Sequence, residues 1–365
     1  MKTISLTLIS CLIFVVSCAT KTSPEDKIIT QLKQEIVQDL TENILHFWAT
    51  KSPDPSGGFY GTLNFDGTPR QNTSKGGILN ARLVWTFSAA YRMLKDEKYL
   101  TLANRAQRYF IDHFIDKEYG GSFYTVTAAG EPLDMQKNTY QNAFAMYGLA
   151  EHYHATGNKE SLDAAIAVYR KMIEHAYDPV NGGFIERFSR EWEMMEVRNP
   201  KTMNTNLHVL EALTNLYRVW KDEGLEIQLR ELINVMSNKM VNQNTWHQYL
   251  FLTMDWQNQQ DIDSYGHDIE FSWLLVEAAE VLGDEDILKE AKRVAVNMAA
   301  VKPRCMYAER RHGRSCTEQD AAAIRVSFEP RIIFCQSAGY FRHHGEFSRA
   351  EYDYVRFFRI KAVRK

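Results

Sequence analysis

Cysteine is almost absent from the body of this chain. Cys11 and Cys18 lie near the N-terminus, Cys305, Cys316 and Cys335 lie near the C-terminus, and none occurs from 19 to 304. Three is an odd number, so the tail implies no closed disulfide framework. Charge of one sign is also lacking: the net value is −3 over 365 residues, which excludes the basic footprint of a nucleic-acid binder. Long apolar runs are missing too. The longest, within residues 4–16, is too short to span a bilayer as a stable helix. No close His-x-x-x-His pair or cysteine cluster points to a metal, and no serine or cysteine sits in an elbow motif.

What is present is the composition of a globular protein with a core, 45% apolar and 24% charged. The length suits one large domain or two ordinary ones. Eighteen Tyr, 19 Phe and 7 Trp can line a pocket for flat or carbohydrate ligands, or fill a core. At the N-terminus, Lys2, an apolar run and then small residues follow the order of a secretory signal. Val15-Val16-Ser17-Cys18 has the pattern of a bacterial lipobox. Residues 1–18 are therefore expected to be a lipoprotein signal peptide. Cys18 would be lipidated at the cell envelope, in the periplasm or outer membrane, and residues 19–27 would be a tether. A plain signal peptide with a chance cysteine is the alternative. A lipid anchor would be the sole membrane contact, and the chain is expected to be a monomer.

An internal repeat organises the rest. DPSGGFYGTL from Asp54, DKEYGGSFYTV from Asp116 and DPVNGGFIERF from Asp178 recur at one constant spacing along the chain. Each joins Asp, a turn, two glycines and an aromatic in a short extended run. Between them the period is helical: Tyr99, Leu102, Ala106, Phe110 and Phe114 fall at three- and four-residue intervals. Two helices and one glycine turn per unit predict an all-α fold. Six units would take about 372 residues, the length of a closed (α/α)6 barrel, with the turns on one rim. The open solenoid is the alternative.

Four constellations could carry chemistry. Arg82 and Asn80 interrupt an apolar helix in KGGILNARLVWTFSAAYR; a charge in such surroundings is paired or faces a cavity. Tyr140 heads the helix of KNTYQNAFAMYG, beside Gln141 and Asn142. Asn204, His208 and Glu211 share one helix face in KTMNTNLHVLEALTNLY. In SYGHDIEFSW, His267 and Glu270 lie one turn apart, with Trp273 continuing their face, while Asp268 and Glu270 suit the dipole of a first turn. Each constellation is expected to open the second, inward helix of a pair, so that the side chains converge on one pore. A set richer in His, Arg and amides than in Asp suits proton transfer better than glycosidic cleavage. No metal or other cofactor is called for.

NARLVWTFSAAYR, KNTYQNAFAMYGLAEHY, KTMNTNLHVLEALTNLYRVW and SYGHDIEFSWLL together resemble the cellobiose 2-epimerase branch of the N-acylglucosamine 2-epimerase superfamily, over about residues 28–300. The resemblance implies an (α/α)6 barrel that inverts C2 of the reducing-end sugar of a β-1,4-linked disaccharide without a cofactor. It implies catalytic roles for His267, Glu270 and His208. Arg82, Tyr140 and Asn204 would hold the substrate. A related sugar isomerase, a non-catalytic sugar-binding protein and an inverting glycosidase are the alternatives.

The resemblance stops near residue 300. The family's later tryptophan-rich run and the motif with its second catalytic histidine are not found, and no tryptophan follows Trp273. Residues 301–365 lose helical periodicity and carry 11 arginines. A shifted reading frame would produce such a tail; genuine divergence is the alternative. Either way the last hairpins would be incomplete and inversion impaired.

Overall fold

The computed structural model describes residues 24–301. Cys18 and its signal sequence, and the tail from residue 302, lie outside the described residues. Helix α1 (Pro24–Gln38) starts inside the stretch read as a tether, with proline at the first helical position, where its missing N–H costs nothing. A π-helical turn (Asp39–Ile44) and α2 (Leu45–Lys51) follow.

Residues 47–301 belong to a separate body built from four helical hairpins. They are α3 (Gly77–Leu94) with α4 (Glu97–His113), α5 (Thr139–Thr156) with α6 (Lys159–Lys171), α7 (Met203–Val219) with α8 (Glu223–Val235), and α9 (Tyr265–Leu282) with α10 (Glu285–Ala299). Short links fix these pairs. Asp96, Asn158, Asp222 and Asp284 each cap the second helix by accepting from a backbone N–H of its first turn. The helix carrying each constellation is thus the first of its hairpin, not the second as expected from sequence, because the tight link follows it.

Burial separates two layers. In α6 only Ser161, Ala165, Val168 and Tyr169 are buried, one stripe at helical spacing. In α5 every residue from Gln141 to His152 is buried. The all-round buried helices α3, α5, α7 and α9 pack on one another in that order, and their amphipathic partners cover them outside. This is the (α/α) barrel arrangement, of which the described residues hold four hairpins.

The glycine turns gather at the N-terminal heads of the inner helices. Very short strands pin them: β1 (Lys75–Gly76) pairs with β2 (Thr125–Val126) and that with β3 (Pro132–Asp134), β4 (Lys137–Asn138) with β5 (Arg187–Phe188), and β6 (Lys201–Thr202) with β7 (Phe251–Leu252), all antiparallel. Each turn aspartate meets a buried lysine: Asp54 with Lys75 at 2.9 Å, Asp116 with Lys137 at 2.8 Å, Asp178 with Lys201 at 2.7 Å. Burial pushes the Asp116 and Asp178 carboxyls up. Hydrogen bonds from Arg190 and Lys137 to the first, and from Lys201 and Asn181 to the second, outweigh it and hold both at about 2. A buried charge pair adds little over an apolar pair, but losing one partner strands the other.

Neighbouring turns are also stapled. Trp192 and Trp256, at φ 69° each, donate from Nε1 to the carbonyls of Tyr119 and Asn181 in the preceding turns. Their rings lie where a Cβ on Gly121 or Gly183 would have to go. Those two glycines are required by both their positive φ and this contact.

Candidate active site

Backbone register relates the heads of the inner helices. Asn142 Oδ1 accepts from Ser122 N at 2.8 Å, and Asn206 Oδ1 from Phe184 N at 2.9 Å. Asn80, Asn142 and Asn206 each donate to a carbonyl four residues earlier. These buried amides tie each inner helix to its turn. Asn80 and Asn142, polar islands in the sequence, are therefore structural clamps rather than site groups. Gln141 is likewise committed to Ser122 Oγ and the Phe123 carbonyl.

Two positions beyond Asn80, Asn142, Asn206 and the corresponding Asp268 of α9 the side chain is different in kind. These residues are Arg82, Phe144, His208 and Glu270, one on each of α3, α5, α7 and α9 and close to one repeat apart. The first three are in contact. Arg82 Nη2 donates to Tyr140 Oη at 2.9 Å, and its guanidinium lies 4.1 Å above the Phe144 ring. His208 meets Tyr140 edge-on at 4.9 Å and leans on Phe144 at 4.7 Å. Its Nδ1 lies 3.1 Å from Glu211 Oε2, with both side chains buried. The His208 ring is thus oriented by the Glu211 carboxyl through Nδ1. One turn deeper, Trp85 and Tyr147 stack at 5.2 Å.

Among the described residues Arg82 has no carboxylate partner, and its buried Nε has no hydrogen bond. Among these residues the guanidinium is held by the Phe144 ring and the Tyr140 phenol, neither of which cancels its charge. Asn204 lies half-buried one turn before His208 on the same face. On α9, which packs against α7, His267 Nδ1 is 2.6 Å from Ser264 Oγ, and Glu270 is half-buried one turn on. Asp268 is no simple dipole partner. It is buried, accepts from Gln248 N at 2.9 Å, and lies 2.7 Å from His247 Nδ1.

Some groups at the heads were not singled out from sequence. Phe144 supplies the face on which both Arg82 and His208 rest; its place one repeat after Arg82 was the available signal. Glu186 receives a bond from Thr202, the residue capping α7, and burial pushes its carboxyl up. Among the described residues no three His, Cys, Asp or Glu side chains are grouped to hold a metal ion, and no helix is long and apolar enough to cross a membrane.

The hairpin barrel and its likeness to known proteins give the class: the (α/α)-barrel carbohydrate epimerases, which are isomerases. The profile of the N-acylglucosamine 2-epimerase (GlcNAc 2-epimerase) family matches residues 58–305, and the chain belongs to this family. It is 46% identical to the cellobiose 2-epimerase of Bacteroides fragilis over 278 residues, 74% of this chain and 71% of that protein. It is 34% identical to that of Dictyoglomus turgidum, over 73% of this chain and 70% of that one. Cellobiose 2-epimerase from Bacillus thermoamylovorans B4167 superposes with a TM-score of 0.72 at 37% identity, covering 74% of this chain and 71% of its own.

Proposed function

We propose that this protein exchanges the C2 proton of the reducing-end sugar of a β-1,4-linked disaccharide such as cellobiose or mannobiose, the half-reaction of a 2-epimerase. The observation that carries this reading is the contact of Arg82 with Tyr140 and of Tyr140 with His208, across three inner helices.

The C2 proton is acidic only in the ring-opened aldehyde, where its removal gives an enediolate. His267 is the base. With Nδ1 turned to Ser264, Nε2 is the nitrogen left to take the proton, and an imidazole has a suitable ordinary pKa. Glu270, one turn on, supports the imidazolium that results. Charge then develops on the oxygens at C1 and C2. Arg82, Tyr140 and Asn204 are the donors offered to it, and Arg82 is suited because no carboxylate among the described residues competes. His208, turned through Nδ1 to Glu211, contacts Tyr140 and so adjoins these donors.

Inversion needs a proton delivered to the opposite face. The family's motif for that second histidine has no counterpart in residues 301–365. Return of the proton to the original face is then the main path, giving exchange with little mannose epimer. Chromatography of cellobiose incubated with the protein tests this reading. The expected product is at most a trace of glucosyl-mannose. Free glucose would mean a glycosidase instead, and tight sugar binding with no C2 exchange a binding protein. We further propose export and lipid attachment at Cys18; an unmodified N-terminus downstream of Cys18 by mass spectrometry would overturn that.

A further inference from the structure

The turn before α9 holds no glycine and is wired differently from the three glycine turns. Asn242 accepts from Trp246 N and donates to the His247 carbonyl, as Asp116 does with Gly120 and Gly121, and Asp178 with Gly182 and Gly183. Trp246 and His247 therefore stand where two earlier turns have glycines. Trp246 adopts φ 61°, against 75° and 77° for Gly120 and Gly182. A bulky residue there is strained, and such strain persists where the surroundings impose it. The lysine–aspartate pair is gone as well, since the turn acid has become Asn242.

A histidine–aspartate pair takes its place. Gln248 N donates to Asp268 Oδ1 at 2.9 Å, so Asp268 holds the position of the clamps Asn142 and Asn206. Its second oxygen accepts from His247 Nδ1–H at 2.7 Å, both residues being about 4% exposed. His247 Nε2 lies 3.7 Å from Asp263, and its ring meets Tyr265 edge-on at 5.3 Å.

This pair adjoins His267 in the chain and by hydrogen bonds. Asp268 N donates to the Ser264 carbonyl at 2.9 Å, and Ser264 Oγ lies 2.6 Å from His267 Nδ1. Ser264 is the residue before α9, where Asn138 and Thr202 before α5 and α7 cap a backbone N–H. Ser264 makes no such cap. Forgoing a cap weakens the helix start, and the hydroxyl turns to the imidazole instead. The inner helix α3 also starts without a side-chain cap, but on Gly76, which has no side chain to offer. Among the inner helices α9 alone has a residue able to cap that does not, and a local rule broken in this way marks a functional demand.

We propose that Ser264 is a positioning residue for His267, and that His247 and Asp268 are a buried brace holding Ser264 in place. In the proposed arrangement Ser264 Oγ accepts from His267 Nδ1–H, and Nε2 is then the base. This rests on the assignment of His267 as the base.

The test uses the full chain with 15N-labelled histidine, read by NMR for the His267 tautomer and for deuterium uptake at C2 of cellobiose in deuterated water. S264A should mix the His267 tautomers and slow uptake about 10- to 100-fold, the cost of a misplaced group, with cellobiose affinity unchanged. S264T should restore both. D268N keeps the bond from Gln248 N, as asparagine does at 142 and 206, loses the histidine bond, and should shift the same signals less. An S264A protein with wild-type tautomer and uptake overturns the proposal. So does an unchanged His267 tautomer in S264A if wild-type uptake is too slow to read. The base assignment fails separately, if H267A exchanges at the wild-type rate.

Discussion

Both ends of the inner helices carry matched charge pairs, such as Lys137–Asp116 and Lys201–Asp178 in the head turns, but only the heads also hold an arginine without an acid among the described residues. At the C-terminal feet, Arg92 Nε bonds Glu151 at 2.8 Å, Asn215 reaches the same carboxylate at 3.3 Å, and Arg218 meets Glu277 at 2.5 Å. His154, one repeat after Arg92, is 3.9 Å from Glu151. Acids and bases there are matched across neighbouring helices. At the N-terminal heads Arg82 rests on Phe144 and Tyr140 with no acid opposite among the described residues. Matched buried charges hold helices in register, whereas an unmatched one is costly to keep and is available to a ligand. The difference marks the heads as the working end of the barrel.

Breaking the feet should cost most in stability. Glu151→Ala strands Arg92 and is expected to lower unfolding free energy by about 3–5 kcal/mol, the cost of removing one partner of a buried pair. Chemical denaturation measures it, and exchange per folded molecule should survive. The reverse pattern is expected at the heads. Arg82→Ala should slow C2 exchange about 10²- to 10³-fold, as loss of one oxyanion donor does, with unfolding free energy within about 1 kcal/mol of wild type. A variant at either end that shifted both properties equally would dissolve the distinction.

A smaller effect concerns the turns. Asp116 and Asp178 are held at about 2 in the folded chain, below the ordinary 3.8. A lowered folded pKa means the stabilisation is present above pH ~4 and is lost as pH falls toward ~2. Each should contribute about 2 kcal/mol. Acid titration of stability should show this loss, and Asp178→Asn should flatten part of it.

Much of the fold was legible in the sequence because the turn is spelled out three times in nearly the same letters. The two-layer order of the helices needed the structure, since hairpin links are shorter than the turns and only caps distinguish them. Arg82, Tyr140 and His208 were readable as polar residues on apolar helices, and the structure brings them into contact. Asn80, Asn142 and Gln141 gave the same signal for another reason: Asn142 and Gln141 satisfy turn backbone, and Asn80 bonds the Gly76 carbonyl at the start of its own helix. Lys75, Lys137 and Lys201 gave none. Each is well separated in sequence from its aspartate, a contact made only when the turn closes, and a lone lysine reads as solvated. Asp268 was readable as an N-terminal acid, but its bond to His247 depends on a register that the sequence of the fourth turn disguises.

The measurement that bears most directly on the heads as the site of proton transfer is deuterium incorporation at C2 of cellobiose, compared among wild type, His267→Ala and His154→Ala. His267 stands at a head and His154 at a foot, so the pair holds residue type constant and varies only the end. Wild type and His154→Ala should incorporate deuterium slowly and at similar rates, and His267→Ala should fall by about 10²- to 10⁴-fold, the usual contribution of a general base. Equal incorporation by His267→Ala and wild type, or loss in His154→Ala with the fold intact, would contradict it.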